Sequence, residues 1–239
     1  MISRALWILA VIALGFVTVS VQLDRQARIA PARANSVPEP FRAFAQRHIT
    51  AEALLAQNEA LALKEARRLV ARRPMPAEHL RMLSLAQFAA GESEQSVYTI
   101  QLAARRGWRD QPSQSTMLRL ALAAGDQAEA ARRYAALFSQ GGVDESELKG
   151  LGDLVFGDES EEARAQFAQV VTDAARWQRI YLRKGPNVLP PEAFVDVTKR
   201  VTQAGVRFEC DGKARAVQRL SRADKGSSEA LKAILDYCP

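Results

Sequence analysis

Two stretches of this chain align with one another at an offset of 34 residues, and that offset constrains the fold more than any other feature. Leu83, Gly91, Ser96, Ile100 and Ala103 recur as Met117, Gly125, Ala130, Tyr134 and Leu137. A unit of this length holds two short helices and a turn. Such a hairpin cannot bury its apolar face alone, so stacked neighbours have to supply the missing core. Gly91 and Gly125 stand where the chain must reverse, and glycine makes a left-handed backbone angle cheap there. Ser96 and Ala130 are small at the place where the second helix crosses the first. Ile100 and Tyr134 follow four residues later, and Ala103 and Leu137 seven later, so each set lies on one helical face. Alanine, leucine and arginine are abundant and β-branched runs are few, which favours helix.

The pattern extends in both directions. One period earlier, Ala62, Ala66, Leu69 and Pro74 take the corresponding places, with Asn58 near the turn instead of Gly. A poorly matching helix over 43–57 precedes them. One period later, Ala163, Phe167 and Val170 take the small, bulky and closing positions, with Gly157-Asp158 at the turn. Three to four units are expected between about Arg42 and Val171.

Over this span, about half of the chain, the sequence resembles the tetratricopeptide-repeat (TPR) family. Gly91 and Gly125 sit at that family's turn position, and Ser96, Ala130 and Ala163 at its small second-helix position. The chain departs from the family in the first helix, with Leu80 where Trp is common, and Gln87 and Ala121 where Tyr is common. The resemblance implies a concave groove, lined by the first helix of each unit, that takes an extended peptide or a helix. Carried over by position, its residues are Arg81, Leu85 and Phe88 in one unit and Ser115, Arg119 and Leu122 in the next. Arg81 and Arg119 would grip a carboxylate bidentately. Leu85, Phe88 and Leu122 would pack against apolar side chains, although the same residues suit packing between units.

The ends of the chain carry different signals. Ala5 to Leu23 is nineteen residues without a formal charge. As a helix it would span roughly 28 Å, near the thickness of a bilayer core. An uncleaved membrane anchor is expected, the rival being a signal peptide cut after Ser20 or, farther on, after Ala34. Arg4 and the short N-terminal tail favour export of the remainder, whereas Arg25, Arg28 and Arg33 count against it by the positive-inside rule. Pro31, Pro38 and Pro40 make 25–42 a linker. After the repeats, a helix is expected over 172–184, broken at Gly185-Pro186-Asn187, and a second from Glu192 to Gln203 ended by Gly205. Val206 to Cys210 alternates and suits a strand or an extended segment. Ala214 to Leu220 reads as helix, Asp224 to Ser228 as a polar turn, and Ser228 to Tyr237 as the last helix.

Charge is unevenly spread. The net charge of +6 hides an acidic run from Asp144 to Glu162, which contains only Lys149 as a cation, and a basic stretch from Arg176 onward. Two cysteines, Cys210 and Cys238, would form a disulfide in an exported domain, contributing roughly 3.5 kcal/mol in the chain-entropy model, and would remain thiols in a cytosolic one. A metal site is not expected, because the only histidines, His48 and His79, lie far from the cysteines. Gly150-Leu151-Gly152 with Gly157 has misplaced glycines and no preceding strand for a dinucleotide loop, and reads as a loop and helix turn. Trp108 reads as packing between repeats. No nucleophile elbow or phosphate loop is present, and the Glu161-Glu162 pair sits in a generic acidic run.

The expectation is therefore an all-α chain. Residues 1–24 form a transmembrane anchor or signal peptide, 25–42 a Pro-rich linker, 43–171 TPR-like helix-turn-helix repeats, and 172–239 a small C-terminal helical capping segment with the cysteine pair. The expected function is that of a non-catalytic scaffold or adaptor, tethered to an inner membrane with its head in the periplasm. It would bind protein partners of a cell-envelope assembly, such as a secretion, pilus or polysaccharide-export machine, with no cofactor, no small-molecule substrate and no nucleic acid. Two alternatives stand beside it. One is a subunit or chaperone supporting an envelope enzyme. The other is a cytoplasmic-facing protein whose basic C-terminal segment contacts anionic lipid or nucleic acid.

Overall fold

The computed structural model describes residues 2–157 and 160–235, and among these there are helices and no strands. The chain divides into two compact units, Met1–Gly107 and Trp108–Pro239.

The first unit contains α1 (Ile2–Ala27), α2 (Phe44–Leu55), α3 (Glu59–Arg72), α4 (Ala77–Ala89) and α5 (Ser93–Arg106), with two short 3-10 turns, Pro31–Ser36 and Glu39–Phe41, between α1 and α2. Residues Arg4–Ala27 of α1, with mean hydropathy 2.3, are long and apolar enough to cross a membrane. α2 pairs with α3, α3 packs on α4, and α4 pairs with α5, so two helical hairpins stack. Their interface is built from small residues. Ala53, Ala62, Ala66 and Ala86 form one cluster. At the α4–α5 crossing Ser84 Oγ donates to the Ser96 carbonyl (2.9 Å) and Ser96 Oγ to the Ser84 carbonyl (2.8 Å). The small position foreseen at Ser96 is thus also a reciprocal clasp. It lets two backbones approach while keeping both buried hydroxyls satisfied.

The second unit contains α6 (Gln111–Ala123), α7 (Gln127–Phe138), α8 (Glu145–Phe156), α9 (Glu161–Thr172), α10 (Ala175–Val188), α11 (Pro191–Gln203), α12 (Cys210–Ala223) and α13 (Lys225–Ile234). Its core is aromatic. Phe167 meets Tyr134, Phe138, Phe156 and Tyr181 at centroid distances of 5.8, 5.5, 5.2 and 6.1 Å. Tyr181 stacks on Phe194 at 4.8 Å and reaches Phe208 at 6.2 Å. Val197, Val201, Leu220 and Leu231 from the last three helices belong to the same core.

The 34-residue period appears directly in the turns. Gly91 (φ +79°) and Gly125 (φ +73°) are left-handed, and Gln57 (φ +54°), one period earlier, is forced into the same conformation. All three turns close alike, with Asn58 N–H to Ala53 O (3.2 Å), Glu92 N–H to Gln87 O (2.8 Å) and Asp126 N–H to Ala121 O (2.9 Å). Asn58 does not reverse the chain; its side chain caps α3 by accepting from Leu61 N–H.

Four local expectations are corrected. α10 runs through Gly185-Pro186-Asn187 to Val188. A Cβ on Gly185 would lie 2.6 Å from the Phe194 ring, so the glycine permits close packing there and breaks nothing. Gly150 and Gly152 lie inside α8. A Cβ on Gly152 would fall 2.3 Å from the Val188 carbonyl oxygen, so this glycine too serves close approach between helices. Of the strand and the extended segment expected over Val206 to Cys210, the strand is absent; residues 206–209 carry buried Phe208 into the core and Cys210 already begins α12. Asp224 belongs to no turn before the last helix; its carboxylate accepts from Gly226 and Ser227 N–H and starts α13 at Lys225. The expected turn residue Asp158, the helix end at Tyr237 and the Cys210–Cys238 pairing lie outside the described residues.

Candidate partner-binding site

The residues assigned to a groove fall on two helices in different units. On α4, Arg81, Leu85 and Phe88 lie at i, i+4 and i+7, one face of the helix. Leu85 is 49% exposed and Phe88 69%. Arg81 approaches Glu78 at 3.9 Å, and Glu78 is itself held by Arg47 at 2.6 Å. In the second unit Ser115, Arg119 and Leu122 repeat the spacing on α6. Arg119 is exposed and Ser115 half-buried. Leu122 packs against the aromatic core and borders a small hollow of about 270 Å³ with Gly125, Leu154 and Ser160.

A larger feature of the second unit escaped the sequence. A cleft of about 660 Å³ opens where the segment before α6, the α7–α8 loop and the start of α10 converge. Trp108 and Trp177 meet edge to face across it at 6.1 Å. Trp108 remains 44% exposed, whereas the core rings Tyr134, Phe138, Phe156 and Phe167 are fully buried. Arg109 and Arg176 line the cleft together with Gln111, Gln140, Asp173 and Ile180. Behind its wall Lys184 Nζ donates to the carbonyls of Phe138 (2.9 Å) and Gln140 (2.7 Å), which satisfies the C-terminal end of α7 and fixes the glycine-bearing 139–142 loop. Burial, and then the neighbouring Arg183 charge, push the Lys184 ammonium below the usual lysine range. The sequence signal was Trp beside Arg in two places, Trp108-Arg109 and Arg176-Trp177; nothing local shows that residues about 70 apart meet.

The first unit carries a third feature, at the exit of the apolar helix. Asp24 is 4% exposed, and its carboxylate accepts from Ala43 N–H (2.8 Å), Phe44 N–H (3.1 Å) and Ala45 N–H (2.9 Å). It therefore caps α2 from nearly twenty residues upstream, where the local cap residue, Ala43, offers no side-chain acceptor. Ala27 is buried with Ala34, Val37 and Ala45, Phe16 meets Phe41 edge to face at 5.8 Å, and Arg28 and Arg73 lie over the Phe44 ring. The proline-bearing 25–42 segment is folded onto α1 and α2 by these contacts. A buried polar relay follows, in which Gln46 Nε2 donates to Glu65 (2.7 Å) and Arg72 donates to Gln46 Oε1 (2.8 Å).

Among the described residues no three His, Cys, Asp or Glu side chains converge as a metal-ligand group. Buried His79 donates from Nδ1 to the Arg73 carbonyl at 2.9 Å, since a carbonyl oxygen can only accept. Cys210 opens α12. No protein-family model, curated protein or solved structure matches this chain.

Proposed function

We propose that this protein is a membrane-tethered scaffold or adaptor, a degenerate TPR-type array that binds protein partners of a cell-envelope assembly without doing chemistry on them. The observation that carries this reading is the junction of Asp24 with the N-terminus of α2. A cut after Ala34 would remove the carboxylate that satisfies three backbone N–H groups. A cut after Ser20 would remove Phe16 from Phe41. These contacts support a retained anchor, which in this reading holds the hairpins at the bilayer surface and raises their effective concentration toward membrane partners. The exposed Leu85 and Phe88 on α4 and Arg119 on α6 suit protein contacts.

In this reading the head lies in the periplasm, where Cys210 and Cys238 would be bridged. A second reading is favoured by the arginines just beyond the apolar span, Arg25, Arg28 and Arg33, which suit a cytoplasmic, anionic-lipid-facing head. Labelling intact cells with a membrane-impermeant maleimide, with and without prior reduction, separates the two. Labelling only after reduction is expected. No labelling of intact cells even after reduction, with ready labelling of unreduced lysate, would sink the periplasmic assignment. Migration of the mature chain at a mass lacking α1 would sink the anchor.

A further inference from the structure

We propose that the Trp108–Trp177 cleft is a docking site for an acidic peptide segment that packs one aromatic or aliphatic side chain against the indole pair. The inference rests on the reading of the chain as a binding protein and locates a contact that the repeat pattern does not foresee. Its first support is the indole pair. Among the described residues every other aromatic ring of the second unit is buried in its core, yet these two sit at a surface cleft with Trp108 nearly half open. Tryptophan presents a large rigid face at small entropic cost, which is why it anchors interfaces.

The second support is charge. Arg109 and Arg176 at the cleft make no ion pair among the described residues. α10 carries Arg176, Arg179, Arg183 and Lys184 and no acidic residue. Arg176, Arg179 and Arg183 recur at i, i+3 and i+7, a basic stripe leading away from the cleft. Among the described residues of the lining, Asp173 is the one opposing charge. A guanidinium at the mouth and a stripe of further cations beyond it match a segment with several carboxylates, and the cleft volume suits a side chain with its flanking backbone. The 139–142 loop adds two exposed glycines, Gly141 and Gly142, where a peptide backbone can come close.

The test uses the full chain in nanodiscs of neutral lipid, titrated with short synthetic peptides rich in Glu and Asp that carry a single Leu, Phe or Trp. Matched Lys-rich peptides serve as controls, and binding is read by calorimetry. Saturable binding of the acidic series alone is expected, weakening with salt. The surface double variant Arg109→Gln/Arg176→Gln should weaken it by about tenfold or more, and Trp177→Ala should abolish the preference for the apolar-bearing peptides. Thermal melts of both variants confirm that they fold; if Trp177→Ala does not, Trp177→Phe replaces it. Equal binding of acidic and basic peptides, affinity unchanged in the double variant, or saturable binding only to anionic vesicles or nucleic acid would each overturn the proposal. These results are independent of the maleimide labelling, so failure of the cleft and failure of the periplasmic assignment remain distinguishable.

Discussion

The two units solve one packing problem with different chemistry. The first unit stacks its two hairpins through alanines, and holds each hairpin closed with polar contacts, the Ser84–Ser96 clasp in one and the buried Gln46–Glu65 relay in the other. The second packs a run of linked rings from Tyr134 through Phe167 and Tyr181 to Phe194 and Phe208. Small residues let helices approach closely and make geometry dominant, so that turns and caps decide the fold. Large rings bury far more apolar area per residue and draw in helices that follow no repeat. This accounts for α10–α13 sharing one core with α7–α9, although no repeat pattern runs through them.

The largest expected effect is Phe167→Ala. Removing the ring that touches four others should cost about 3–5 kcal/mol. Hydrogen exchange should accelerate together in α7 through α13 and leave the first unit protected. Faster exchange confined to α9 would refute a shared core. Gly152→Ala should come next, at about 1–3 kcal/mol from forcing α8 away from the Val188 carbonyl. Gly150→Ala, where a Cβ meets nothing, is the control and should be neutral or mildly stabilising.

In the first unit the largest effect should be at the junction. Asp24→Ala would leave three backbone donors without their acceptor, at a cost of about 1–3 kcal/mol. Asp24→Asn, which keeps one acceptor oxygen, should lose less. Exchange at Ala43, Phe44 and Ala45 reports both. A smaller gain is expected from Gln57→Gly, about 0.5–1 kcal/mol in denaturant melts, because a non-glycine residue is strained at φ +54°. No gain there would mean that the turn relaxes elsewhere.

The smallest effect is a pH dependence at His79. Burial lowers its pKa, helped by the Arg73 and Arg47 charges and opposed by the hydrogen bond to the Arg73 carbonyl and by Glu78. The unfolded chain then binds the proton more readily. The stabilisation is complete above about pH 6.5 and declines as pH falls from there through the lowered folded pKa. Denaturant melts across that window should show the decline, and His79→Gln should flatten it.

Much of the fold was legible beforehand because its signals are local. Helical type, the turns at Gly91 and Gly125, the buried set Ile100, Ala103, Tyr134 and Phe167, and the apolar span of α1 each depend on residues a few places apart. The candidate site was much less legible. Position in the repeat marked Leu85 and Phe88, which are exposed, but nothing local joined the Trp108-Arg109 and Arg176-Trp177 pairs into a cleft. Pro186 and Gly185 read as a helix break because propensity disfavours them, and packing against Phe194 outweighed it.

The sequence by itself determined an all-α chain with a 34-residue beat and a membrane-length first helix, since periodicity and composition are properties of neighbours along the chain. Only the tertiary structure decided that Asp24 caps a helix beginning twenty residues later, that Trp108 meets Trp177, and that α10–α13 share a core with α7–α9. Those outcomes depend on which surfaces exclude water together. Burial free energy follows contact in space and carries no mark of separation along the chain.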